Sequence, residues 1–170
     1  VVEDLSGLRA RFRFAYEKPG IAISIGRMSA AGAGMNLRRL SGDLRVDRGS
    51  IVASGFAVET DRTNLVAAVR YSGSPDGLLD IQLDAARLSL PEIGRYFRPV
   101  ANIRLEPAVD VRARGTMDAL SMNVHVVSSA GTARGPLVGH FGAGAKSLEG
   151  RLDVSSVDMA PILNRAEWKT

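Results

Sequence analysis

The chain has 170 residues, 45% of them hydrophobic but only 5% aromatic, with 18 glycines and no cysteine. This composition favours short strands joined by glycine turns over long helices, and the missing cysteines exclude a disulfide framework or a thiolate metal site. The net charge of +4 comes from arginine far more than lysine, which is as compatible with a GC-rich genome as with a function. There is no initiator methionine, signal peptide or apolar run of about 18 residues, so residues 1–170 are expected to be an internal segment of a longer protein.

The chain opens with a predicted β-hairpin that has one apolar and one basic face. Phe12 and Phe14 alternate with Arg9, Arg11 and Arg13, the period of a half-buried strand. A proline–glycine turn leads to the second strand, whose apolar positions are Ile21, Ile23 and Ile25. The arginines are interpreted as the solvated face of a sheet, and contact with phosphates or an anionic membrane is the alternative.

Turn signals then recur at short intervals, which is typical of an antiparallel meander. Residues 28–36 are rich in small side chains and are predicted to be a loop without the spacing of a phosphate-binding motif. Residues 40–72 are predicted to form three strands, and a Ser-Pro-Asp-Gly turn at 74–77 precedes the next one.

Residues 79–97 change from strand to helix. Ser89 and Glu92 match a capping box, in which the serine oxygen accepts a backbone N–H and the glutamate reaches back. Pro91 fits the first helical turn, so a short helix is predicted near 90–97. Three of its side chains are expected to cover one end of the apolar face as a lid: Ile93, Tyr96 and Phe97.

The same strand-then-helix unit returns 69 positions later, at residues 148–163, where Asp158 falls on Ser89 and both are good N-cap residues. The recurrence indicates a repeat protein, with units ending near 79–97 and 148–163. Between the units, three further strands are predicted, at residues 100–114, 122–127 and 137–141. Pro107 confines the first of these to an edge or a bulge.

Candidate catalytic and metal-binding residues are few. His125 and His140 have no partner at a metal-binding spacing. Asp80 and Asp84 share one face of a strand, but their Cα atoms would lie about 13 Å apart, too far for a coupled acid–base pair. No nucleophile or metalloprotease motif occurs. We therefore expect no enzyme activity, no cofactor and no metal.

The apolar stripe on each strand needs a cover that two short helices cannot supply. A second sheet would give a closed sandwich, whereas a sheet curled on itself would leave a groove for an apolar ligand. A 16-carbon acyl chain gains about 13 kcal/mol on leaving water, so aliphatic walls alone could hold lipid. The groove candidates are Phe12, Phe14, Ile21, Ile23, Ile25, Leu65, Val69, Ile81, Leu83, Val109, Val111, Met122, Val124, Val126, Leu137, Leu152 and Val154.

Four stretches share a degenerate pattern of Gly, Leu and Asp: Leu40–Val66, the unit ending Leu-Ser-Leu-Pro-Glu-Ile93, the unit ending Val-Asp-Met-Ala-Pro-Ile-Leu163, and the turn Ala113–Leu120. In the last of these, Met117 takes the place of a usual leucine. These stretches resemble the AsmA-like superfamily, in particular its TamB-like members, over most of residues 4–163.

The resemblance implies a fold, a location and partners. TamB-like proteins are anchored in the inner membrane of diderm bacteria and cross the periplasm as a long curled β-sheet, the β-taco, a U-shaped groove with short helices between repeats. The groove would carry phospholipid between the inner and outer membranes in outer-membrane biogenesis, with an outer-membrane β-barrel of the TamA type as partner and no nucleic acid. The alternative is a structural or docking β-domain with a closed, dry core that assists outer-membrane protein assembly.

Overall fold

The computed structural model describes residues 6–32, 35–73, 77–95, 98–142 and 146–158 of the chain. The strands are β1 Ser6–Glu17, β2 Gly20–Gly32, β3 Met35–Asp47, β4 Ser50–Glu59, β5 Asn64–Tyr71, β6 Leu79–Arg87, β7 Ala108–Thr116, β8 Ala119–Ser128, β9 Gly131–His140, β10 Ser147–Gly150 and β11 Asp153–Ser155. They form one antiparallel sheet in which β1 to β10 follow one another in chain order, and β11 pairs with β9. The predicted mainly β fold with a long antiparallel meander is confirmed.

The strand register gives the sheet two chemically different faces. Directly paired residues of antiparallel strands lie on the same face. Phe14 pairs with Ile23 and Ile23 with Leu44, and at the other end of the sheet Met122 pairs with Leu137. We call this side the apolar face. The outer face is the opposite side, with residues such as Arg13, Ser24, Asp43, Arg70, Asp80, Arg114, Asn123 and Arg134.

The sheet is curled, and near the start of β8 its apolar face is better shielded from solvent than its outer face. In β8, Leu120 on the apolar face is only 4% exposed, whereas Ala119 and Ser121 on the outer face are exposed. Extensive contacts join only strands that are neighbours in the sheet, and within the described ranges no second sheet lies over the apolar face. Leu120 pairs with Gly139, and the ring of Phe141 lies directly over Gly139 on the same face, so this ring shields Leu120.

The chain buries little of its surface for its size. It exposes 11924 Å² to solvent, whereas a compact protein of 18.1 kDa exposes about 8,100 Å². Among the described residues, the buried hydrophobic side chains are few and mostly small: Ala30, Ala85, Leu105, Ala113, Leu120 and Ala130. In the ranges that the structure describes, the apolar side chains therefore form an extended, partly exposed surface and no closed core.

Bulges in the first strands bend the sheet. The register between β1 and β2 shifts between Arg11 and Phe12. It shifts again between β3 and β4 at Gly42, and between β4 and β5 at Gly55. Bulges bend a strand and increase its twist. Gly42 has a φ of 151°, and a Cβ on it would lie 2.8 Å from the ring of Phe56. Glycine is required at Gly42 because the backbone of β3 passes directly under that ring.

The predicted loop at residues 28–36 is wrong. Residues up to Gly32 continue β2, and β3 already begins at Met35, with Ala30 paired with Leu37 and Ala31 with Asn36. Small residues have low strand propensity, but pairing with neighbouring strands overrides that preference. Residues 33 and 34 lie outside the described residues.

The predicted strand at 100–114 is shorter than expected. A 3-10 turn occupies Arg98–Val100 and regular pairing begins only at Ala108. The carbonyls of Leu105 and Pro107 still accept the N–H groups of Leu90 and Leu88, at 3.0 and 2.9 Å. Because Pro107 has no N–H to donate, the chain here runs beside β6 without completing a ladder.

The predicted helix is present but short. α1 spans Leu90–Ile93 and ends at Gly94, where a Cβ would lie 2.4 Å from the Cα of Ala101. Ser89 caps it as predicted, accepting the Glu92 N–H at 3.4 Å. Tyr96 and Phe97 lie outside the described residues, so their proposed place over the groove stays a prediction.

One pair of strands has the 69-residue spacing of the predicted repeat. β4 begins at Ser50 and ends at Glu59, and β8 begins at Ala119 and ends at Ser128. The helix of the second unit falls on residues beyond Asp158, outside the described residues. The repeat therefore stays a prediction that the strand lengths support.

Candidate functional site

The candidate site is the apolar face, where side chains form rows that cross the sheet from strand to strand. One row runs through nine strands without a charged or polar member: Phe14, Ile23, Leu44, Ala53, Val69, Ile81, Ala113, Met122 and Leu137. With neighbouring strands about 4.8 Å apart, this row is about 38 Å long. A second row passes through Ala67, Leu83, Val111 and Val124.

Sixteen of the seventeen predicted groove residues lie in strands, on the apolar face. Leu152 is the exception, because it lies between β10 and β11. β10 and β11 pair with β9 in one continuous register, with Gly150 opposite Leu137 and Asp153 opposite Arg134. They are therefore two halves of a single edge strand, and the same register would put Leu152 opposite Gly135.

Exposure along the apolar face rises towards the first edge of the sheet. Ala113, near the middle, is 4% exposed, whereas Phe12 and Tyr16 on the edge strand β1 are 69% and 61% exposed. At the other edge, Leu152 and Val154 are also exposed. Large aromatic side chains left open to water at an edge are unfavourable in a free domain, so this edge is a candidate contact surface.

Several apolar-face residues are absent from the sequence-based set. Leu40 pairs with Val58, and Phe56 with Ala67. In β4 a bulge at Gly55 shifts the alternation by one residue, so a strict period of two misplaces Phe56 and Val58, whereas Leu40 keeps the period of β3. Gly55 was the available signal in β4.

A buried polar cluster fixes α1 to the end of the sheet where β4 turns into β5. The hydroxyls of Thr60 and Thr63 each donate to Oε2 of Glu92 at 2.7 Å. The Ser89 N–H donates to the Thr63 hydroxyl at 3.1 Å, so the predicted return bond from Glu92 to that N–H is not formed. All four residues are buried, and no buried side-chain polar atom of the described residues lacks a partner.

The cluster decides where α1 lies relative to the apolar face. Ile93 follows Glu92 directly and is half-buried, at the end of the sheet marked by Thr60 and Thr63. Sequence reasoning missed this anchoring because the threonines are about 30 residues from Glu92 along the chain.

The outer face holds the titratable residues. His125 lies there, opposite Asp110 and Arg134, and Asp80 and Asp84 share it. His140 contacts the carbonyl of Asp118 through Nδ1. In the ranges that the structure describes, no three acidic or histidine side chains are placed to hold a metal ion, and no helix there has the length and apolar character to span a membrane.

Comparison of the chain with protein-family models, curated proteins and solved structures found no match. The resemblance to the AsmA-like superfamily therefore depends on the sequence motifs alone. What the fold adds is the physical arrangement: a single curled sheet whose apolar face is continuous and, among the described residues, is covered by no second sheet.

Proposed function

We propose that this chain is a segment of a periplasmic bridge whose apolar face carries phospholipid acyl chains between the inner and outer membranes. The observation that carries the proposal is the row from Phe14 to Leu137, which crosses nine strands without a polar member. A surface of this kind is costly to leave in water. Acyl chains are a partner that covers it without requiring any polar contact.

The energetics favour an acyl ligand over a specific polar one. A 16-carbon chain gains about 13 kcal/mol on leaving water, at about 0.8 kcal/mol per methylene. Every member of the row is apolar, so an acyl chain meets no polar side chain at any step that would hold it at one position. Such uniform contacts suit movement along the groove better than tight binding at one site.

The partners follow from the resemblance. An inner-membrane anchor outside this chain and an outer-membrane β-barrel of the TamA type would place the groove between two membranes. The alternative, a docking domain with a dry core, requires a second layer, and the described residues form one sheet only. We therefore favour the lipid groove.

The proposal predicts that the chain purifies from bacterial cells, without detergent, carrying phospholipid. Native mass spectrometry should find at least one phospholipid on a substantial share of the folded molecules. Delipidation should then raise the fluorescence of a dye that binds exposed apolar surface. A chain that carries no phospholipid above the level of an unrelated β-sheet protein would contradict the lipid groove.

A further inference from the structure

The outer face of the first hairpin contains a basic cavity that the proposed groove does not use. Its lining residues are Arg9, Ala10, Arg11, Arg27 and Ser29, and its volume is about 530 Å³. The three arginines are exposed and Ser29 is half-buried. The cavity lies on the side opposite Phe12 and Phe14, because Arg11 and Arg13 alternate with them along β1.

Arg11 and Arg27 face each other directly across the hairpin. Like charges at directly opposed positions of a sheet destabilise it. A bulge brings them together, since the register shifts between Arg11 and Phe12 and leaves Gly26 as the extra residue of β2. Because directly paired residues lie on the same face, both guanidinium stems lie on the outer side of the hairpin.

Three arginines elsewhere on the sheet have acidic neighbours. Arg112 contacts Asp110 at 2.9 Å, and both Arg70 and Arg114 lie opposite Asp80. Within the described ranges, Arg9, Arg11 and Arg27 form no ion pair. The only carboxylate in the sequence of β1 and β2 is Glu17, six residues beyond Arg11 and so about 20 Å along the strand.

We propose that this cavity binds a phosphate group, either carried by a lipid or free in solution. A phosphate between Arg11 and Arg27 would remove their repulsion, and guanidinium groups bind phosphate oxygens through paired N–H donors. Arg9 adds a third cation, and the Ser29 hydroxyl adds a neutral donor opposite Arg9. The site is independent of the acyl groove, because none of its arginines lies on the apolar face.

The test compares two double variants with the same change of charge. Arg11→Gln/Arg27→Gln removes the opposed pair, and Arg70→Gln/Arg114→Gln removes two arginines of the same outer face that lie beside Asp80. Binding is measured to inorganic phosphate by calorimetry and to phosphatidic acid vesicles by co-sedimentation, with phosphatidylcholine vesicles as the uncharged reference. The first variant should bind about tenfold more weakly than the parent chain, and the second should bind within about twofold of it.

The outcomes distinguish the two sources of phosphate. Binding to inorganic phosphate that is lost in Arg11→Gln/Arg27→Gln identifies a site for free phosphate, and binding only to phosphatidic acid vesicles identifies a lipid headgroup. Thermal unfolding in chloride provides the folding check, because removing the opposed charges should not lower the melting temperature. Equal weakening in both double variants, or no binding in either assay, would overturn the site without bearing on the acyl groove.

Discussion

Replacing Leu83 by Asp is expected to remove bound phospholipid while leaving the sheet folded. Leu83 lies in the middle of the apolar face, between Ala67 and Val111, and it is half-buried. An acyl chain lying over this position would remove water from the carboxylate, and this desolvation costs several kcal/mol. The lipid affinity should fall about a hundredfold or more, as measured by phospholipid per chain in native mass spectrometry.

Gln82→Asp is the matched control for this prediction. Gln82 is the neighbour of Leu83 in β6 but points to the outer face and is exposed. The same charge is introduced one residue away, on the opposite face of the same strand. Equal loss of lipid in Gln82→Asp, or full retention of lipid in Leu83→Asp, would be incompatible with an acyl path over the apolar face.

Replacing Glu92 by Ala should give the largest loss of stability of any single change considered. The variant leaves the buried hydroxyls of Thr60 and Thr63 without the acceptor that each now contacts at 2.7 Å. Unpaired buried polar groups cost about 1–3 kcal/mol each, so the free energy of unfolding should fall by about 3 kcal/mol. Urea unfolding followed by circular dichroism measures this directly.

Two further variants separate the cluster from a general effect of charge. Glu92→Gln keeps an oxygen acceptor of similar shape, so its loss should be about 1 kcal/mol. Asp61→Asn removes an exposed carboxylate in the same β4–β5 turn, where it contacts Arg38 at 2.7 Å. An exposed pair of this kind contributes about 0.5 kcal/mol or less. If Asp61→Asn were as destabilising as Glu92→Ala, the buried cluster would not be what holds α1 in place.

The strands and the apolar face could be predicted because alternation is a local signal. Phe12 and Phe14 in β1, and Ile81 and Leu83 in β6, show the strand period within a few residues. Strand pairing then places the apolar residues of each strand beside those of the next strand, because a one-residue slip in register would move them to the outer face.

The bulges and the buried cluster could not be predicted in the same way. The bulges at Gly26 in β2 and Gly55 in β4 depend on how these strands fit against their neighbours. The partners of Glu92 are in a distant turn. The local capping motif therefore predicted that the Ser89 N–H would donate to Glu92, whereas it donates to the Thr63 hydroxyl. Residues 28–36 were misassigned for a related reason, because pairing with β3 decides their conformation.

The most direct test of the proposed groove is photo-crosslinking from neighbouring positions on opposite faces. A photoreactive amino acid at Ile81 or Val124 faces the groove, and one at Gln82 or Asn123 faces outward from the same strands. In cells, the inward positions are expected to give phospholipid adducts and the outward positions none. Adducts of equal yield from both faces, or none from either inward position, would contradict a lipid path along the apolar face.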